Sequence, residues 1–180
     1  RVFAKTENRI IATARHSLQA AADYFRDQGI TPAILGDSVT GEAREVAKVY
    51  GALAREIRVN SEPWPAPVAL ISGGECTVTV RGNGRGGRCA EFLLSLAVDL
   101  DGAAGIHALA CDTDGIDGSE NNAGAVLTPE TLHHAARKHL NAAALLDQND
   151  AFFAFITSQV VLPTMATTSG NVHVSKNCLS

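Results

Sequence analysis

The chain has 180 residues, of which 46% are hydrophobic and 19% charged, enough for one full domain or for one domain with part of another. Such a balance buries a core and excludes a disordered tail. A formal net charge of −4, with acids and bases interspersed, excludes a surface built for nucleic acid, so any anion must be held locally by loop geometry and a few arginines.

From Asn8 to Gln28, apolar residues at Ile11, Ala14, Leu18, Ala21, Ala22 and Phe25 follow helical spacing, and Gly29 ends the run. Pro32 to Gly36 reads as a short strand, and Asp37-Ser38-Val39-Thr40 as a polar turn. Gly41 to Ile57 forms a second helix whose inward face is Ala43, Val46, Ala47, Tyr50, Leu53 and Ile57. Ser61 to Pro67 carries three prolines within five residues, which no regular element tolerates. It is the best linker in the chain, with Trp64, the only tryptophan, packed across the join. The expected organisation is therefore residues 1–60 as the end of a first α/β domain, 61–67 as linker, 68–162 as a second domain and 163–180 as an irregular tail.

Val68 to Ser72 is an apolar strand, turning at Gly73-Gly74-Glu75 into an alternating strand from Cys76 to Arg81, close enough for a hairpin. The glycine-rich run Gly82-Asn83-Gly84-Arg85-Gly86-Gly87-Arg88 follows, then a helix to Leu100 with Leu93, Leu96, Ala97 and Leu100 as its buried stripe. Ile106 to Cys111 reads as a covered strand, and Asp112-Thr113-Asp114-Gly115-Ile116-Asp117-Gly118 as the loop after it. Thr128-Pro129-Glu130 opens a helix with cap, proline and acid in their favoured places, and its histidines 133, 134 and 139 are surface residues. Asn141–Leu146 and Asp150–Ile156 are short helices, the second bringing Phe152, Phe153 and Phe155 to the core, and Val160–Leu162 is a last strand. The fold class is α/β, a layered sheet with helices.

The cysteines at 76, 89, 111 and 178 form no C-x-x-C pair, so neither a zinc site nor a disulfide framework is expected. Cys76 and Cys111 read as buried small apolar residues; Cys89 lies beside the glycine loop, where a lowered pKa is one expectation although nothing pairs it with a base. No signal peptide, membrane span or lipidation signal is present, so a cytoplasmic protein without a membrane partner is expected. Because the first residue is Arg1, the chain is expected to start downstream of its own initiation.

Strand, glycine-rich loop and helix together form an anion site in expectation. Glycines let the backbone approach a ligand, and the helix N-terminus adds unpaired N–H groups and its dipole. Arg85 and Arg88 add full charge. Taken alone the same glycines also suit a plain turn; a second polar loop after the next strand tips the balance toward a shared crevice. Asp112, Asp114 and Asp117 have the spacing of groups that hold a hard cation or take a proton from a hydroxyl, and equally that of an Asx-rich turn. Gly82, Gly84 and Gly87 match G-x-G-x-x-G formally, but the segment before them alternates with threonines, unlike the apolar first strand of a dinucleotide fold. There is no G-K-[ST], hence no P-loop.

Several motifs in order carry a family resemblance: Gly73-Gly74-Glu75, then Gly82-x-Gly84-x-Gly86-Gly87-Arg88-x-x-Glu91, then Thr113-Asp114-Gly115-Ile116-Asp117-Gly118 and Ala123-Gly124. Together they resemble the MOFRL domain, the C-terminal domain of the glycerate 2-kinases, some of whose members are labelled hydroxypyruvate reductases. Gly41-Glu42-Ala43-Arg44-Glu45 and the helix from Asn8 resemble the segment before that domain, so the similarity runs from about Asn8 to Phe155. The resemblance implies phosphorylation of D-glycerate to 2-phosphoglycerate with ATP and Mg2+, in a cleft between two α/β domains. Arg88 is then the catalytic or phosphate-binding arginine and Asp114 the acidic active-site residue. Gly84, Arg85, Gly86, Gly87 and Glu75 line the phosphate, and Asp112 and Asp117 serve the metal. The alternatives are an NAD(P)H-dependent hydroxypyruvate reductase or a non-catalytic anion-binding remnant.

The implied partners are a small-molecule substrate and the N-terminal domain of the same protein, with a homo-oligomer left open. Three departures stand out. The family's catalytic lysine and its aspartate partner belong to an N-terminal domain this chain lacks, so the segment alone is expected to be inactive or nearly so. Cys89-Ala90 replaces a polar pair, and residues from Val160 onward do not match the family's closing Asn-Val-Asn-Asp motif.

Overall fold

The computed structural model describes Glu7 and residues 13–158 and 161–163. Helix α1 (Ala14–Asp27) opens on a reciprocal cap. The Thr13 hydroxyl accepts the His16 N–H, and the His16 ring accepts the Thr13 N–H. The first five residues of the expected helix, 8–12, lie outside the described residues. Leu18 and Ala22 of α1 pack on Ile71 in a small core with Phe25, Ile34 and Ala69 around it.

Strands β1 (Thr31–Glu42) and β2 (Val68–Thr77) pair in parallel, in register from Thr31 with Val68 to Glu42 with Thr77. Two expectations fail here. Asp37–Thr40 is not a turn but part of β1, accommodated by register shifts between Ile34 and Val39. Nor is there a hairpin at Gly73-Gly74-Glu75: β2 runs straight through it, and residues 78–81 leave the sheet instead of forming a second strand. Gly74 makes the straight passage feasible. Its φ is 152°, and a Cβ there would lie 2.0 Å from the Val39 carbonyl oxygen, so only glycine lets the strands close. Beyond β2 the Glu42 carboxylate catches the departing chain, accepting from the Thr79 N–H at 2.8 Å and its hydroxyl at 3.0 Å.

Helix α2 (Ala43–Asn60) follows β1 directly and buries Ala43, Arg44, Ala47, Gly51 and Ile57. It packs on α3 (Arg88–Leu100), where Gly51 meets Asp99 and Arg55 bonds the Asp99 carboxylate at 2.6 Å. A second, antiparallel sheet has the order β3 (Ala108–Cys111), β4 (Asn122–Leu127), β5 (Val161–Pro163). The fold is mixed α/β as expected, but the strands form two sheets rather than one layer, and β2 and β3 are not neighbours.

Helices α4 (Thr131–Arg137), α5 (Ala142–Asp147) and α6 (Ala151–Ser158) complete the described chain. The main core joins Leu93, Leu94, Leu96, Ala97 and Leu100 of α3 to Ala125 and Leu127 of β4 and Ala154 and Phe155 of α6. Phe152 and Phe155 are buried as expected, whereas Phe153 is 38% exposed. Helix α4 begins at Thr131, not Thr128, because the Thr131 hydroxyl accepts the Thr128 N–H at 2.9 Å and holds Thr128–Glu130 as a turn. Histidines 133, 134 and 139 are exposed. Val160 and everything after Pro163 lie outside the described residues. Among those described, no helix is long and apolar enough to cross a membrane.

The Gly74 contact yields a direct prediction. Gly74→Ala should lower stability by about 1–3 kcal/mol, because β1 and β2 must separate to admit a methyl group. Urea denaturation measures it, and an unchanged midpoint would mean that the strands have slack at this point.

Candidate functional site

The N-terminus of α3 is where four of the predicted site residues converge: Glu75, Arg88, Asp112 and Asp117. Arg88, its first helical residue, bonds Glu75 of β2 through Nη1 and Asp112, just past β3, through Nη2 at 2.5 Å. One guanidinium thus joins the two loops, although their strands sit in different sheets. Asp112 is nearly buried, Glu75 is exposed, and the Arg88 side chain is 32% exposed. Burial opposes the charge on Arg88, but the Asp112 hydrogen bond and the charges of Asp112 and Glu75 outweigh it and raise its pKa. The cation is permanent.

Asp117 does something the sequence reading did not foresee. It is fully buried, and its two carboxylate oxygens accept the N–H groups of Cys89 at 2.9 Å and Ala90 at 2.8 Å. The anion expected at this helix end is the chain's own side chain. Burial raises the Asp117 pKa above the usual carboxylate value, and the two N–H bonds oppose the rise without cancelling it.

The glycines are used inward as well. A Cβ on Gly82 would lie 2.5 Å from the Gln148 carbonyl oxygen, one on Gly84 2.5 Å from the Asp150 backbone, and one on Gly87 2.2 Å from the Asp117 carboxylate. The loop is bonded to the turn between α5 and α6: Gly84 N–H donates to the Gln148 carbonyl (2.9 Å), Arg85 N–H to the Asp150 carboxylate (3.1 Å), and Phe152 N–H to the Arg85 carbonyl (2.9 Å). The Arg85 side chain is exposed, lies over the Phe152 ring and pairs with Glu120 at 3.3 Å. What the loop offers to solvent is therefore the Arg85 and Arg88 side chains more than its backbone. Gly86 lies within it, at φ 151°.

Asp114 is exposed, and its carboxylate accepts the Ile116 N–H at 3.0 Å in a local Asx turn. The sulfur of Cys89 and carboxylate oxygens of Asp112 and Asp117 all lie within 4.8 Å of one another. This group does not fit magnesium, which demands several oxygen ligands in octahedral geometry. Asp117 already accepts two N–H groups, Asp112 is paired with Arg88, and the third member is a thiol. The thiol is not activated either. Burial first, then the nearby Asp117 and Asp112 charges, push the Cys89 pKa far up, contrary to the lowered value expected from its position. Cys111, expected to be buried, has an exposed position on β3.

A buried polar cluster behind the site was missed. Arg44 of α2 bonds Oε1 of Glu91 through Nε (2.9 Å) and Nη2 (2.5 Å), and reaches the Leu146 carbonyl at 2.9 Å. Asn149 donates to both Glu91 oxygens at 3.1 Å. The signal for Arg44 was a charge standing between Ala43 and Ala47 on an otherwise apolar face; for Asn149 there was none, since it reads as a plain turn residue.

Residues 68–173 match the MOFRL family. A relative from Agrobacterium vitis named "Putative hydroxypyruvate reductase" is 46% identical over 83% of this chain and 34% of its own length. The D-glycerate 2-kinase of Thermotoga maritima is 30% identical over 90% of this chain and 39% of its own length. A crystal structure of glycerate kinase from Thermotoga maritima superposes with a TM-score of 0.81 at 30% identity, covering 88% of this chain and 38% of that one. The chain spans little more than a third of the length of these relatives.

The buried cluster gives a second prediction. Arg44→Met strands the Glu91 carboxylate in the interior and should cost about 3–5 kcal/mol, whereas Arg44→Met with Glu91→Leu should recover most of it. Equal losses in the single and double variants, measured in urea, would mean that the cost comes from losing Arg44 itself and not from a stranded Glu91 carboxylate.

Proposed function

The chain belongs to the MOFRL family, and from that footing we propose that it is the C-terminal part of a glycerate 2-kinase, which transfers the γ-phosphoryl group of ATP to the 2-hydroxyl of D-glycerate. Residues 68–162 are then the second domain of a two-domain protein, and the rest of the cleft comes from the part that the relatives' greater length represents. The observation that carries the reading is Arg88: a permanently charged guanidinium, fixed by Glu75 and Asp112 and still open to solvent. A cation oriented before the reaction stabilises the charge on a transferring phosphoryl group without reorganising.

In this reading Arg88 holds the phosphoryl oxygens, with Arg85 beside it on the loop and Gly84, Gly86 and Gly87 shaping the approach. Glu75 and Asp112 act through Arg88, since carboxylates repel a phosphate. Asp114, the exposed carboxylate two residues past Asp112, takes the proton as the glycerate oxygen attacks phosphorus and the ADP oxygen leaves. Asp117 is assigned to the α3 terminus rather than to a metal. Cys89, Asp112 and Asp117 do not make a fitting ligand set for magnesium. On this reading the chain by itself is inactive or nearly so, because half a cleft cannot hold the reacting groups in place.

The name carried by the Agrobacterium relatives points to a reductase, but the glycine geometry speaks against a dinucleotide site. Strand β2 ends at Thr77, short of Gly82, and the glycines meet residues 148–150 and Asp117 where a dinucleotide would need them free.

The deciding experiment uses the full-length protein. ADP release with D-glycerate, ATP and magnesium is followed beside NAD(P)H oxidation with hydroxypyruvate; ADP release dependent on glycerate is expected, and cofactor oxidation without it would overturn the reading. Arg88→Ala should cut turnover about a hundredfold or more with the fold retained. Were only its melting temperature to change, Arg88 would leave the site.

A further inference from the structure

Three segments converge on Asn149, in the turn between α5 and α6. Its Oδ1 accepts the backbone N–H groups of Arg81 at 2.6 Å and Gly82 at 3.1 Å, where the chain leaves β2 and enters the glycine loop. Its Nδ2 donates to both Glu91 oxygens at 3.1 Å and to the Thr79 carbonyl at 3.3 Å. The residue is buried and sits at φ 56°, a left-handed conformation that asparagine tolerates better than most. Arg44 holds Oε1 of the same carboxylate with two hydrogen bonds, so the amide has a fixed partner.

The placement matters for Arg88. Its pair with Glu75 spans β2 and α3, and Asn149 joins those same two elements: the chain leaving β2 through Thr79, Arg81 and Gly82, and α3 through Glu91, three residues after Arg88. We propose that Asn149 is a positioning residue: it locks the exit of β2 to the first turns of α3 and thereby sets where the Arg88 guanidinium stands. The proposal rests on the reading of Arg88 as the phosphate-holding cation. Asn149 itself is nine-tenths buried and acts only through the loop and the helix.

The test uses the full-length protein with Asn149→Gly, which keeps the left-handed backbone accessible and removes only the side chain. Asn149→Asp is the companion variant, matched in shape but lacking the donors and setting a carboxylate against Glu91. Turnover is measured for Asn149→Gly, Arg88→Ala and the pair. Asn149→Gly is expected to lower kcat about ten- to a hundredfold, with KM much less affected, and to add no further loss once Arg88 is gone. Losses that multiply independently would overturn the proposal. Hydrogen exchange supplies a readout that does not depend on the reaction: in both variants residues 79–88 should exchange faster while 93–100 keep their protection. Unchanged exchange across 79–88 would also overturn it. If the unsubstituted protein releases no ADP with glycerate, the kinase reading falls alone, and exchange still decides whether Asn149 locks the loop.

Discussion

A charge pair sealed away from water is the constraint on which the rest of the site depends. Arg44 and Glu91 are each nearly inaccessible, and the desolvation of two ions is repaid only when every remaining lone pair and hydrogen is used. Here the Leu146 carbonyl accepts a further Arg44 hydrogen bond and the Asn149 amide donates to both Glu91 oxygens. Such a cluster is poorly tolerant of displacement, because any shift leaves a buried ion short of a partner. That intolerance transmits order: α2, α3, the exit of β2 and the α5–α6 turn are all held to one arrangement. A hydrophobic contact of equal area would allow them to slide.

The same helix shows how a generic site is turned to a specific use. A glycine loop running into a helix N-terminus is an anion trap by default. In this chain Asp117 fills it, giving its two oxygens to Cys89 and Ala90. The positive charge that the loop presents at the surface therefore resides in side chains, on Arg85 and Arg88, which project from a backbone already anchored to residues 148–152. In the proposed reading, affinity for a substrate anion is thus separated from folding: the helix end stabilises the fold, and the arginines are the groups left to meet the ligand.

Much of this was legible in the sequence, in proportion to how local its cause is. Helix α3 and its stripe of Leu93, Leu96, Ala97 and Leu100 follow from spacing alone, as do the short helices from Asn141 and Asp150 and the exposure of the α4 histidines. The hairpin at Gly73-Gly74 was misread because two glycines ordinarily signal a turn; the use of Gly74 here, to let β1 approach, depends on Val39, more than thirty residues away. Asp37–Thr40 failed for the same reason, since a polar stretch joins a strand when register shifts absorb it. Arg88 and Asp112 were foreseen as site residues and do meet. Their contact could not be foreseen from strand order, because β2 and β3 belong to different sheets.

The ordered motif that identifies the family mixes two kinds of residue, and only the geometry separates them. Gly82, Gly84, Gly87, Glu91 and Asp117 are spent inward, on close backbone approach, a buried ion pair and a helix cap. Arg88 and Asp114 keep groups open to solvent. A motif match by itself therefore says that the scaffold is present, since most of its letters describe the scaffold. The inference to phosphoryl transfer rests on the few letters the fold does not consume. Among these Arg88 has the strongest case: the fold orients it with two carboxylates and yet leaves it a third exposed, an arrangement that a purely structural arginine, such as the buried Arg44, does not show.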